Sequence, residues 1–325
     1  MIANMINKRV SISMILAACC ALAVVKPAFA QPYPYRPIKA IVPVPAGGGV
    51  DATARIVAEY LSRALGESVI IENRGGGVIG IEAAARSAPD GYTILITSDS
   101  ITSIPHVLKM TIDPTKEFIP VIQLTRQPVV LAVHPSLGAN SIDELIALAK
   151  QRPGMGYATS GLASPQTIAP LWFARLAGIR VAPVPYRGSG PALNDLIAGH
   201  VKIGSIGAAP LIPHYKVGNV RLLAQTTEAR SPSLPDVPTF QEAGIKGLVL
   251  DQWFGVFAPA GTPPAIVARL NAEIGKILSD PSIREKLLET AQESVGGSAE
   301  QLARLVRQDH DKYRRLVAQL NIKVE

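Results

Sequence analysis

The chain has 325 residues, 48% of them hydrophobic, 5% aromatic and 18% charged, with a formal net charge of +7. Its basic residues are scattered rather than gathered in a run of five or six. That pattern excludes a nucleic-acid tract and leaves a modest positive field suited to small anions. Both cysteines, Cys19 and Cys20, lie in the first thirty residues, so a chain without that segment has no thiol for a disulfide, a zinc site or catalysis.

The first thirty residues form the pattern of a secretory leader. Lys8 and Arg9 precede an apolar stretch over 10–25, and Ala28-Phe29-Ala30 is a small-residue cleavage site before Gln31. A competing pattern, Leu16-Ala17-Ala18-Cys19, would leave a lipidated Cys19. The apolar stretch is short for a membrane span of roughly 20 residues. Lys8, Arg9 and Lys26 supply three of the seven net charges, so the chain beyond Ala30 carries +4. Its length leaves room for two domains of ordinary size.

From there one unit repeats: short apolar strand, small-residue loop, amphipathic helix. The stretch 38–45 leads into Gly47-Gly48-Gly49, then a helix with Val57, Tyr60, Leu61, Ala64 and Leu65 on one face. Asp51 stands at its N-terminus, where an acid is favourable, and Gly66 ends it. Next come a strand at 69–71, the loop Gly75-Gly76-Gly77, a helix at 79–87, a turn at 89–91 and a strand at 92–97. A third unit has a strand at 155–159, a loop at 160–164 and a helix opening at Pro165, with Pro170 as a possible kink. The fourth has a strand at 181–185, the loop Gly188-Ser189-Gly190, a helix opening at Pro191 and a strand at 201–206. Thr262-Pro263 opens another helix, and Ser298 with Gln301 forms a capping box before a last long one.

Strands alternating with helices predict a parallel sheet covered on both faces. In such sheets ligands bind beyond the carboxyl ends of strands, at loops leading into helices. The helix N-termini there offer free N–H groups and partial positive charge. Bare glycines let a ligand approach the backbone, although a single glycine loop is equally explained by a tight turn.

Catalytic chemistry is harder to place. No Walker lysine-serine follows the glycines, the G-x-G-x-x-G pattern is incomplete, and no H-E-x-x-H or G-x-S-x-G occurs. His106, His134, His200, His214 and His310 show no metal-ligand spacing. No catalytic residue, cofactor or metal is expected.

The motifs "PVPAGGGVDATAR", "IENRGGG", "APDGYTILI", "LAVHPS", "VPYRGSGPALNDLIAGHV", "RSPSLPDVPTFQEAG" and "WFGVFAPAGTPPAIVARLN" stand in a recognisable order. On them the chain resembles the solute-binding proteins of tripartite tricarboxylate transporters, the Bordetella uptake gene family. The resemblance implies an α/β, two-domain periplasmic-binding-protein (Venus-flytrap) fold with the ligand in the interdomain cleft. Domain 1 would comprise 31–128 plus 232–325, and domain 2 would comprise 129–231. It also implies capture of a small carboxylate and its delivery to membrane permease subunits; the leader and the lack of later cysteines place the expected protein in the periplasm, and a monomer is expected.

The ligand-facing set so implied is Pro45, Ala46, Gly47, Gly48 and Asp51 on the first loop, with Arg74, Gly76 and Val78 on the second and Ser98 nearby. Ser160, Gly161, Leu162, Ala163 and Thr167 would come from the third, followed by Tyr186 and Ile206. Arg74 and Arg126 are candidate charge partners, since arginine can hold a carboxylate bidentately; either would serve equally as a solvated rim residue. This chain departs from the family's usual N-K-P-G-A-G-G-N-I-G in the second loop, where Val78 replaces an asparagine. Leu162, Ala163 and Thr167 replace the asparagine, glycine and histidine of S-G-N-G-S-x-x-H, and Ile206 stands where an aspartate is common. Wall polarity tends to mirror the ligand, so the expected ligand is a carboxylate with an apolar or aromatic body, terephthalate-like. The alternatives are an aliphatic di- or tricarboxylate, a ligand-presenting sensor module working with a receptor, and an α/β enzyme.

Overall fold

The computed structural model describes residues 33–322; the leader, its Ala30 cleavage site and Cys19 lie outside the described residues. The chain divides at Tyr35, and the unit from Arg36 onward carries the fold described below.

Strand β1 (Ile38–Val42) is buried at four of five positions and lies between β2 (Val69–Asn73) and β3 (Thr93–Ser98), parallel to both. A near-continuous apolar run is what a central parallel strand requires. Helix α1 (Gly49–Leu65) packs Ala54, Val57, Ala58 and Leu61 inward, each aliphatic side chain the size of leucine contributing about 1.5–3 kcal/mol. Ala64, expected on this face, is exposed. Gly66 caps the helix in the left-handed region at φ 74° and donates to the Ser62 carbonyl. Helix α2 (Val78–Ala85) follows β2, and α3 (Ser100–Val107) follows β3.

A short helix α4 (Pro114–Glu117) leads into β4 (Phe118–Val133), a 16-residue strand that the repeat pattern did not announce. Its first part pairs antiparallel with β9 (Asp251–Pro259) and β10 (Glu293–Gly296). From Val129 onward it pairs instead with β7 (Ile203–Gly207) and β8 (Arg221–Gln225). Its two prolines sit where the ladder is already broken. Pro120 lies at a register shift, and Pro128 is the last residue paired with β9 before the change of partners. Proline lacks the N–H a continuous ladder would use.

The second half repeats the first. Helix α5 (Ile142–Gln151), β5 (Met155–Thr159), α6 (Pro165–Ala177), β6 (Val181–Pro185), α7 (Ser189–Ile197) and β7 follow in order, with β6 and β7 flanking β5 in parallel. Helix α6 runs through Pro170 without interruption. Helix α8 (Ala208–Lys216) leads to β8. Residues 232–250, grouped by sequence with the first domain, send Leu234, Val237, Phe240 and Leu248 into the cores of this second half.

Helices α9 (Pro264–Ser279), α10 (Pro281–Leu288) and α11 (Ala299–Gln319) complete the chain. Helix α9 starts at Pro264 with Pro263 as its cap, one residue later than the Thr262-Pro263 pair suggests. The Thr262 hydroxyl donates to the Pro259 carbonyl instead. The Ser298–Gln301 capping box is formed. The whole is one sheet, ordered β2-β1-β3-β9-β4-β7-β5-β6, with β8 and β10 also on β4. It is mixed rather than wholly parallel, because β9 runs against β3, and β4 against both β9 and β7, where the two groups of parallel strands meet.

Candidate functional site

At the carboxyl ends of the parallel strands, loops from both halves enclose a cavity of about 240 Å³. Five helix N-termini meet there, those of α1, α2, α3, α6 and α7, through residues such as Gly49, Gly77, Ser100, Ser164 and Ser189. The first N–H groups of a helix have no intrahelical partner, so each terminus brings donors and partial positive charge. Pro43, Val44, Ile104, Leu108 and Phe254 make much of the wall apolar. Among the described residues no acidic side chain lines the cavity. Arg187 is the single charged residue among the described ones that does.

Of the residues singled out in the sequence, Pro45, Ala46, Gly48, Gly76, Ser98, Ser160, Gly161, Leu162, Ala163 and Tyr186 border the cavity. Tyr186 donates its hydroxyl to Asp195 at 2.6 Å. Burial together with that bond pushes the phenol up to about 12. Leu162 and Ala163 pack with Ile104 and Leu108 of the opposite half, and the Ala163 carbonyl accepts from Ser103. They therefore serve as contacts across the cleft as well as wall.

Gly47, Asp51, Arg74, Val78, Arg126, Thr167 and Ile206 do not border it. The Gly47 N–H is spent on Asp51 at 3.0 Å. Asp51 is buried beneath the loop and also accepts from Arg55 and Asn73. Burial works to raise its pKa, but those bonds outweigh it and hold the carboxyl below its ordinary value. It anchors the loop rather than facing a ligand. Arg74 is paired with Glu72, and Arg126 with Glu293 at 3.0 Å in a separate depression. Val78 packs against the first-half core, and Ile206 is fully buried in the second. The Thr167 hydroxyl donates to the Gly161 carbonyl at 2.8 Å and bonds Thr159, so it shapes the third loop from behind.

Sequence reasoning passed over Gln127, Gln166, Gln252 and Phe254, all of which line the cavity. Gln127 and Phe254 also explain one of the three glycines. A Cβ on Gly49 would lie 3.3 Å from the Phe254 ring and 3.4 Å from the Gln127 amide nitrogen. The bare backbone here admits the cavity floor. The signal available was a polar residue inside an apolar strand, at 127 and at 252.

The family model described as the tripartite tricarboxylate transporter family receptor matches residues 53–322. Protein BugT of Bordetella pertussis is 39% identical over 265 residues, covering 80% of this chain and 81% of that protein. Among solved structures, R. palustris Rpa4515 with adipate superposes with a TM-score of 0.87 at 35% identity, covering 90% of this chain and 100% of that one. MatC from Rhodopseudomonas palustris with bound malate gives 0.82 at 29% identity, covering 88% and 100%. The chain belongs to the tripartite tricarboxylate transporter receptor family, whose members are periplasmic solute-binding receptors and not enzymes, and it has their α/β binding-protein fold.

Proposed function

We propose that this protein captures a small carboxylate with an apolar or aromatic body, such as terephthalate, and passes it to the membrane subunits of a tripartite transporter. One observation carries the reading: a cavity with no acidic side chain, surrounded by helix N-termini and one arginine, whose walls are otherwise largely apolar. Such a site favours negative charge without dedicating a buried cation to it. The adipate- and malate-bound relatives support a carboxylate and favour a second reading, an aliphatic diacid. Val78 and Ile206, two of the substitutions that suggested an aromatic body, lie away from the cavity, whereas Leu162 and Ala163 remain on its wall.

In this reading the two halves close on the ligand as domains. Their boundaries fall at the change of partners after Pro128 and at the return near Asp251, which gives residues 232–250 to the second domain. The ligand contacts are the cavity-lining residues of the four loops. The leader is cleaved after Ala30, and the mature protein acts as a periplasmic monomer.

The test is thermal melting of the chain from Gln31 against aromatic and aliphatic acids with one, two or three carboxyls. A ligand that binds only the folded state raises the melting temperature. A shift with terephthalate and none with adipate, malate or citrate is the expected result. A shift confined to the aliphatic acids overturns the aromatic assignment.

A further inference from the structure

Gln127 and Gln252 face each other across the antiparallel pair β4 and β9, at the floor of the cavity. They are 3% and 5% exposed. An amide side chain carries an acceptor and a donor of nearly equal shape, so its orientation is set by its partners. Here one partner has no choice. The backbone N–H of Ala209, in the first turn of α8, can only donate, and it reaches Gln127 Oε1 at 3.3 Å. Gln127 thereby satisfies one of the orphan donors of that helix. Its other end must then be Nε2, which donates to Gln252 Oε1 at 2.7 Å. The acceptor of Gln252 is committed, and its Nε2 has no hydrogen-bond partner among the described residues.

The fold protects this arrangement. Gly207 lies beneath the pair, and a Cβ there would stand 2.6 Å from Gln127 Nε2 and 3.0 Å from Gln252 Oε1.

We infer that Gln252 is a specificity-determining residue, and that Ala209, Gln127 and Gln252 form a relay that holds its amide with the N–H groups toward the ligand. The floor therefore donates and does not accept. It recognises a carboxylate oxygen and discriminates against a group whose hydrogens would meet Gln252. The inference rests on the cavity being the ligand site, as proposed above. Gln127 touches the ligand less than it orients Gln252, so it is a positioning residue.

The experiment measures calorimetric affinity for benzoate, benzamide and hexanoate in wild type, Gln127→Leu, Gln252→Leu, the double variant and Gln252→Glu. Gln252→Leu is expected to weaken benzoate and hexanoate about tenfold, the scale of a lost hydrogen bond to a charged group. Gln127→Leu weakens them less. The double variant matches Gln252→Leu, because a relay is non-additive. Gln252→Glu keeps the bond from Gln127 but turns an oxygen to the ligand. It loses the acids and gains affinity for benzamide, a change of preference that simple loosening of the floor would not produce. The relay is overturned if Gln252→Leu binds the acids as wild type does, if the single effects multiply in the double variant, or if Gln252→Glu weakens acid and amide alike. Wild type that binds neither acid overturns the carboxylate reading as well.

Discussion

Gly80→Ala tests whether the mouth of the cavity depends on close contact between α2 and the segments that follow β1 and β2. A Cβ at Gly80 would fall 2.7 Å from the Arg74 carbonyl and 2.8 Å from both Cα and Cβ of Pro43. All three neighbours are backbone or ring atoms with no rotamer to yield. Reaching ordinary contact requires a movement of about 0.6 Å between α2 and the Pro43 segment, which lines the cavity and accepts the Gly77 N–H at 3.0 Å. Overpacking of this kind costs about 1–3 kcal/mol, and replacing a helical glycine returns up to about 1 kcal/mol. The net is a loss of about 1–2 kcal/mol, or about 2–3 °C in a chain of this size, together with weaker carboxylate binding. Gly275→Ala in α9 is the matched control. Its Cβ would meet only Ile122 Cδ1 at 3.8 Å, so the propensity gain stands alone and the melting point rises by about 1–2 °C. Differential scanning calorimetry of both variants decides the matter. A Gly80→Ala protein as stable as wild type, with unchanged binding, refutes the argument.

Asp99 is wholly buried beside the cavity-lining Ser98 and Ser100, accepts from the Tyr313 hydroxyl at 2.6 Å, and leaves its Oδ1 unpartnered. Burial pushes its carboxyl well above the ordinary range, only partly opposed by the Tyr313 bond. A raised folded pKa gives stability that is complete below the unfolded value of about 3.9 and is lost as pH rises through the folded value. Asp99→Asn does not titrate. Its melting temperature should therefore gain on wild type as pH climbs above about 4, and a constant difference across that range contradicts the assignment. Arg126→Gln breaks only a half-exposed pair with Glu293 away from the cavity, so acid affinity should stay within about twofold of wild type, at a stability cost below about 1 kcal/mol. Arg187→Gln removes the lining cation and should weaken anions about fivefold, the scale of one exposed charge. Titrating both variants with the same acid separates them.

The parts of this protein governed by short range were written in its sequence. Alternating apolar runs and glycine loops mark β1, β5 and β6 with their helices, Gly66 stops α1, and Ser298 with Gln301 caps α11, because each needs only neighbours within a turn or a strand. The same pattern places the cavity-lining loops at the strand ends. The direction of a side chain within those loops is another matter. Asp51, Arg74 and Arg126 look like ligand-facing charges in a linear reading, yet each is committed elsewhere: Asp51 to its own loop, Arg74 to Glu72, Arg126 to Glu293. The cavity floor depends on contacts still more distant. Gln127 meets Gln252 across 125 residues and Ala209 across 82. Neither glutamine belongs to a local motif, so only the pairing of β4 with β9, and the closeness that Gly207 permits, decide which way their amides face.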